Sequence, residues 1–465
     1  MPLVSHENTP AASVLAQADQ RFHLHSQTNL RRHQQQGPMV IERGDGIHVI
    51  DEHGQRYIEG MSGLWCASLG FSNRRLAEAA QRQFDVLPYY HTFNHRVPSV
   101  TVRLAERIAA LAPLPDAKVF FACSGSEAND SMIKMSWAWH RARGNTHKRK
   151  IIAHQKGFHG STVMGATLSG LPNMHAAFGL PLDQVIHVEC PHYYRNGLPG
   201  ETEAAFCERL VADLQQRIEA EGADTIAAFI SEPIMGAGGV IVPPPGYFSA
   251  VQALLARHDI LMLADEIICG FGRTGQWFGH QTMGFAPDMM ACAKSLSAGY
   301  QPISCTVVSG TVYQVLEEQS QQLNGFGHGF TYSGHPVAAA VALETLSIYQ
   351  ELDIPARTRQ LGEVLHSELA SLLDHPLVGE IRGIGLVAGL ELVADKASRR
   401  SFTAPVAIGA QVELAARKHG LIVRNMGDSI ALAPPFIIEP EQIHEMVGRL
   451  TDALNDVNLA TGHCS

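Results

Sequence analysis

No two of the eight cysteines in this sequence are spaced as a pair. They stand at Cys66, Cys123, Cys190, Cys207, Cys269, Cys292, Cys305 and Cys464, and none begins a C-x-x-C. That excludes a zinc knuckle and a thioredoxin-like redox motif. Several lie inside apolar runs and read as buried free thiols, which points to a reducing compartment. Basic residues are in deficit too: 35 Lys and Arg stand against 45 Asp and Glu, a net charge of −10. A sequence-independent grip on nucleic acid needs the opposite sign. No apolar run is long enough to span a bilayer; the longest are interrupted at Glu232-Pro233 and Asp265-Glu266. Residues 1–8 lack a basic stretch followed by an apolar core, so no secretory signal is expected. Repeats, low-complexity tracts and an HExxH motif are also missing. His91 and His95, four apart, could share a helix face, but two ligands do not make a metal site. A cytoplasmic enzyme without a metal is expected.

What remains is ample for a large fold. At 465 residues, length suggests about two to three domains. The apolar fraction of 45% and charged fraction of 17% are those of an ordinary globular protein. The 42 glycines and 24 prolines fit a loop-rich α/β enzyme better than a helical bundle.

Residues 1 to about 36 are polar and read as a helix with loose ends, in which 24–33 could lie over a neighbouring surface. Short strands separated by turns follow over 39–58, then a glycine-bearing loop over 60–66 and a helix over 73–86. Next comes an alternation. Apolar runs at 119–122, 151–153, 185–188, 226–230, 260–264, 289–292 and 306–308 read as strands, with helical patterns at 128–143, 203–220 and 249–258 between them. Strands alternating with helices predict βαβ units and a mostly parallel sheet. After Pro336 the pattern changes: helices at 337–351 and 357–373, strands within 379–392, a helix at 408–419, a strand at 421–424 and a final helix at 440–455. The expected architecture is α/β: a segment 1–66 belonging to a small domain, a large domain 67–335 with a seven-stranded sheet, and a smaller α+β domain 336–465.

Six stretches carry chemistry. Lys294 directly follows the apolar run at 289–293. Ligands of open α/β sheets bind outside the carboxyl ends of the strands, and desolvation there leaves a lysine amine nucleophilic. A surface lysine at a strand end is the bland alternative. Asp265 ends another apolar strand; a carboxylate buried there needs a cationic partner, either a protonated pyridine nitrogen or Arg273. Cys123-Ser-Gly-Ser-Glu-Ala-Asn-Asp130 opens a helix, and Ser124 with Glu127 matches a capping box. Such a helix end suits phosphate, although a plain cap would look the same. In Lys156-Gly-Phe-His-Gly-Ser-Thr162, Phe158 or His159 could lie over a flat ring or simply fill the core. Gly325-Phe-Gly-His-Gly-Phe-Thr-Tyr-Ser-Gly-His-Pro336 is either a backbone nest for phosphate or a turn-rich loop. Finally, Arg424 follows an apolar strand and could fork onto a carboxylate or sit in a surface salt bridge.

Taken in their order along the chain, together with Gly-Leu-Trp-Cys at 63–66, these motifs resemble the class III (ω-amino acid:pyruvate type) aminotransferases, pyridoxal-phosphate enzymes of fold type I. The resemblance runs from about Met39 to Gln442. It implies pyridoxal 5'-phosphate as cofactor and a homodimer or tetramer with shared sites. Lys294 matches the lysine that carries the cofactor, and Asp265 the carboxylate on its ring nitrogen. Ser124, Gly125 and Ser126 match the phosphate cradle. Thr331 matches a threonine that reaches the phosphate in the partner subunit. Glu232 matches an acidic residue near the ring's hydroxyl, and Ile267 the apolar residue under the ring. Phe158 and His159 stand in the Tyr-His-Gly-Ser motif, with Phe158 replacing the commoner Tyr. Trp65 and Phe93 match walls of the substrate pocket, and Arg424 the mobile arginine that holds an acceptor's carboxylate. Met235 and Ser295 replace the commoner Gln and Gly, and Asn94 stands where related pockets are often aromatic. The implied reaction moves an amino group from a terminal amine (a diamine, an ω-amino acid or an arylalkyl amine) to a 2-oxo acid, with pyruvate favoured. The alternative is a decarboxylating transaminase or aminomutase of the same fold.

Overall fold

Three short strands form the first sheet-building unit: β1 (Ile41–Asp45), β2 (His48–Asp51) and β3 (Arg56–Glu59). The structure, a computed structural model, describes residues 13–403 and 407–461. Two helices, Val14–Phe22 and Leu30–Gln36, precede these strands where one was expected. Ser13 and Asn29 cap them, and the polar link between them contains Gln27 at φ +50°.

The seven apolar runs all become strands of one sheet: β4 (Lys118–Ala122), β5 (Lys150–His154), β6 (Val185–Val188), β7 (Ile226–Ser231), β8 (Leu261–Asp265), β9 (Met289–Cys292) and β10 (Ser304–Val308). Their order is β4-β10-β9-β8-β7-β5-β6. Only β10 runs against its two neighbours. Every residue of β7, β8, β9 and β10 is buried, as expected of strands covered on both faces. Side chains alternate between two packed layers. Ile151, Ala228, Ile230, Leu263 and Met289 meet Met132 and Ile133 of the helix Gly125–Ala142. Ile152, Phe229, Met262 and Met290 belong to the layer holding Phe206 and Leu210 of the helix Glu203–Glu221 and Leu254 of the helix Tyr247–Arg257. Each such fully buried side chain contributes ~1.5–3 kcal/mol.

Beyond Pro336 the chain forms the helices Pro336–Glu351, Ile354–Ala370, Ile408–Lys418 and Pro440–Thr461, with strands β11 (Val378–Gly383), β12 (Ala388–Leu392), β13 (Leu421–Ile422), β14 (Arg424–Met426) and β15 (Ser429–Leu432). The single strand expected at 421–424 is in fact two. β13 joins β3 in parallel, whereas β14 turns back onto β15 in the sheet β11-β12-β15-β14. The expected loop at 60–66 holds, with Ser62, Gly63 and Trp65 all at positive φ. Other expectations change. The segment holding His91 and His95 is not helical. The helices Ser99–Leu111 and Gly310–Gln322 were not expected. Of the cysteines, the seven described are free, and Cys464 lies outside the described residues.

Candidate active site

The parallel strands bring their carboxyl ends to one edge, and the residues singled out above leave from it. Ser124 to Ser126 follow β4, Phe158 and His159 follow β5, Glu232 follows β7, Asp265 ends β8 and Lys294 follows β9. Asp265 pairs with Ala291 across β8 and β9, so the carboxylate and the lysine leave adjacent strands.

Lys294 opens a short 3-10 turn, Lys294–Ser297, with φ +48°. A side chain in that left-handed region costs about 1–2 kcal/mol. The turn is held from beneath by Tyr349, whose hydroxyl donates to Ser295 O at 2.7 Å and also bonds the Ser68 hydroxyl. Burial lowers the Lys294 pKa, and Arg424 adds to that; Cys66, Asp265 and Glu232 oppose it to the extent that each is ionised. The amine therefore gives up its proton more readily than an exposed lysine.

Asp265 is buried and held on both oxygens. Asn129 Nδ2 donates to Oδ2 at 2.7 Å and His159 Nδ1 approaches the same oxygen at 2.9 Å. Ile267 N donates to Oδ1 at 3.1 Å. His159 thus bonds the carboxylate rather than lying free as a stacking ring. Arg273, the other partner open to Asp265, is elsewhere: it is buried, donates to Leu386 O and Pro434 O, and lies over the Phe436 ring. Glu232 accepts from Phe158 N and Gly236 N, each at 2.9 Å. Burial is the main force raising its pKa.

Ser124 caps the helix Gly125–Ala142, and the capping box with Glu127 is formed in both directions. The first helical amides, Gly125 N and Ser126 N, have no intrahelical acceptor, and the helix dipole makes that end positive. A β-carbon at Gly125 would come within 2.6 Å of Ile267 Cδ1, so glycine is what lets this end sit beside Ile267. Ser126 Oγ accepts from Ser161 N at 3.0 Å, tying the motif after β5 to the same helix end.

A cavity of about 930 Å³ opens here, with Lys294, Phe158, Trp65, Arg424, Ser26 and Gln27 in its wall. Arg424 is a cavity residue rather than one of a surface pair, and burial lowers its pKa. Phe93 and Thr331 are not in that wall. Phe93 is 40% exposed, and its ring lies against Gly329. Thr331 is exposed, its carbonyl accepting from Tyr89 OH at 2.9 Å.

Two residues were not anticipated. Asn129 joins Asp265 to His159 O (2.8 Å). Its place one turn into a helix, where Asn is disfavoured, is the signal that could have found it. His328 ties the glycine-rich loop to the same helix. Ser131 Oγ donates to Glu127 O at 2.7 Å, so His328 Nε2–H must donate to Ser131 Oγ (2.8 Å), leaving Nδ1 to accept from Lys134 Nζ (2.8 Å). Burial and Lys134 push the His328 pKa down to about 4, which keeps the ring neutral.

This donor set suits pyridoxal phosphate. A desolvated amine can join an aldehyde, a buried carboxylate can face a ring nitrogen, and a helix end with free amides can take a phosphate.

Comparison with known proteins agrees. The family model "Aminotransferase class-III" matches residues 30–454. Gamma-aminobutyrate transaminase 1, mitochondrial, of Oryza sativa subsp. indica is 46% identical over 418 residues, 90% of this chain and 81% of that one. The vanillin aminotransferase of Capsicum frutescens is 45% identical over 420 residues, 90% of this chain and 92% of that one. Among solved structures, the omega transaminase from Pseudomonas jessenii in complex with PMP superposes with a TM-score of 0.96 at 49% identity, covering 97% of this chain and 100% of that one. The PMP-bound aminotransferase from Vibrio fluvialis gives 0.94 at 39% identity, over 97% and 99% of the two chains.

Proposed function

The chain belongs to the class III aminotransferases, pyridoxal-phosphate enzymes that move an amino group from an amine to a 2-oxo acid, and from that premise we propose that its acceptor is pyruvate and its donors are diamines, ω-amino acids or arylalkyl amines. The observation that carries this reading is the pairing at the sheet edge: a half-buried lysine in the cavity wall after one strand end, and a buried carboxylate hydrogen-bonded on both oxygens at the next.

When bound, pyridoxal phosphate supplies an aldehyde that takes up the amino group and a protonated ring that draws negative charge from the adjacent carbon. We assign its covalent attachment to Lys294. With the cofactor bound, Lys294 Nζ would serve as the base and then the acid that moves the substrate's proton, a role that its lowered pKa suits. Asp265 would hold a proton on the ring nitrogen, its own orientation fixed by Asn129 and His159. Ser124, Gly125 and Ser126 would hold the phosphate, joined by Thr331 of a second subunit. Ile267 and Phe158 would hold the ring between them, and Glu232, its pKa raised by burial, would offer a protonated carboxyl to the ring hydroxyl. Trp65 shapes the donor's pocket, with Phe93 from the second subunit, and Arg424 forks onto the acceptor's carboxylate.

A homodimer is part of this reading. Thr331 and Phe93 stand outside the cavity of their own chain, beside exposed aromatic side chains including Tyr89, Tyr90 and Tyr332. The free cysteines support a reducing, cytoplasmic setting. Among the described residues no helix is long and apolar enough to cross a membrane.

A half-reaction screen tests the proposal. The loaded protein is offered a panel of amines and bleaching of its visible band is followed. Pyruvate is then added, and alanine and carbon dioxide are measured. Alanine without gas is expected; stoichiometric carbon dioxide, or no alanine, overturns it.

A further inference from the structure

Among the described residues two groups of metal-type ligands stand close together, His192 with Glu380 and Glu391, and a histidine-rich one in the N-terminal helices. Three imidazoles converge on one carboxylate. His23 Nδ1 lies 2.8 Å from Asp19 Oδ1, His25 Nε2 lies 2.9 and 2.8 Å from the two Asp19 oxygens, and His33 Nε2 lies 3.0 Å from Oδ2. The donor atoms of Asp19, His23 and His25 all fall within 4.8 Å of one another. From this set we infer that Asp19, His23, His25 and His33 form a binding site for a divalent transition-metal ion of the zinc type, a site separate from the proposed catalytic centre.

The chemistry of the donors supports it. Three imidazole nitrogens and one carboxylate oxygen are a common zinc ligand set, and imidazole also suits Co2+, Ni2+ and Cu2+. A tetrahedral ion with bonds of 2.0–2.1 Å separates its ligand atoms by about 3.3 Å. The gap from each imidazole nitrogen to Asp19, 2.8–3.0 Å, is within a few tenths of an ångström of that spacing, and His33 would have to move in to join the three ligands that already lie within 4.8 Å of one another.

Hydrogen bonding alone leaves the group incomplete. His33 is 8% exposed, and its buried Nε2 lies 3.0 Å from Asp19 Oδ2 without forming a hydrogen bond of good geometry. The rings also crowd each other, with His23–His25 centroids 4.4 Å apart and His25–His33 centroids 4.1 Å apart.

The backbone frame is built before any ion arrives. Gln20 Nε2 donates to His33 O and Gln34 O, and Gln34 Nε2 donates back to Gln20 O, which locks the two helices together. An ion would add a bond between those helices across the link 24–29. That link supplies Ser26 and Gln27 to the cavity wall, so occupancy would stiffen one wall of the substrate pocket.

The test uses tag-free holoenzyme freed of metal with a chelator and titrated with Co2+. The expected result is one equivalent per chain, with the visible bands of four-coordinate Co2+ in the difference spectrum. His25→Ala and His33→Ala should each weaken binding by more than the roughly 10–100-fold typical of losing an outer-shell partner. His444→Ala, at an exposed histidine paired with Glu368, should leave it unchanged. If His33→Ala fails to fold, His25→Ala decides the matter, because His25 lies in the link. Absence of the bands, or bands that persist in the variants that fold, overturns the site whatever the enzyme's activity.

Discussion

Glu59 offers a sharp test of how burial shapes the wall of this site. It ends β3, just before the turn that carries Trp65, and is 4% exposed. One carboxylate oxygen accepts from Met61 N at 3.3 Å and from Gly63 N. Burial outweighs these two bonds and pushes the pKa up to about 8. Against an ordinary value of 4.5, that separation corresponds to ~5 kcal/mol at about 1.4 kcal/mol per pH unit. The folded state binds a proton between those values that the unfolded chain has released. Its stabilising effect is full below pH 4.5 and is lost as pH rises through 8. Glu59→Gln keeps the accepting oxygen and removes the titration. The variant should match the parent near pH 5 and exceed it by ~2–5 kcal/mol near pH 9, read as a gap of several degrees in melting temperature that widens with pH. A variant less stable than the parent by the same amount at every pH would refute the reasoning, because Glu59 would then be ionised and partnered.

Other outcomes follow from the same geometry. Asn129→Ala removes two buried hydrogen bonds, one to a carboxylate; a stability loss of about 2–4 kcal/mol should appear as a lower melting temperature, with faster cofactor loss on dilution. Arg424→Ala should raise the KM for pyruvate about 30-fold or more, the value of a charged fork of ~2–3 kcal/mol, while single-turnover reaction with a plain amine changes little. His328→Ala breaks the chain from Lys134 through Ser131 to Glu127 and should weaken cofactor retention, measured as the rate of release into excess buffer. Phe158→Tyr should alter stability by less than about 1 kcal/mol, since the ring itself is retained.

Much of this is legible in the sequence because burial on both faces writes itself as uninterrupted apolar runs. All seven strands of the large sheet were visible that way, and the catalytic candidates followed as polar residues standing where those runs stop. What escaped depended on context. The run Leu421 to Arg424 is continuous in sequence, yet it changes sheets at Val423, and no local preference encodes that. The helix Ser99–Leu111 opens with Ser-Val-Thr-Val, whose β-branched residues favour strand; its buried Thr101, Leu104 and Ile108 make it a helix through packing. Asn129 and His328 act through partners 136 and 197 residues away in the chain. Thr331 and Phe93 were named through the family resemblance, yet they stand outside the cavity wall of their own chain; their proposed work lies in a neighbouring subunit's site.

The most direct measurement is chemical. The pyridoxal-phosphate-loaded protein is reduced with borohydride, digested, and the labelled peptide sequenced. The account predicts a single pyridoxyl-lysine, at Lys294. A label at another lysine, or none on protein that had shown the bound cofactor's colour, would contradict it.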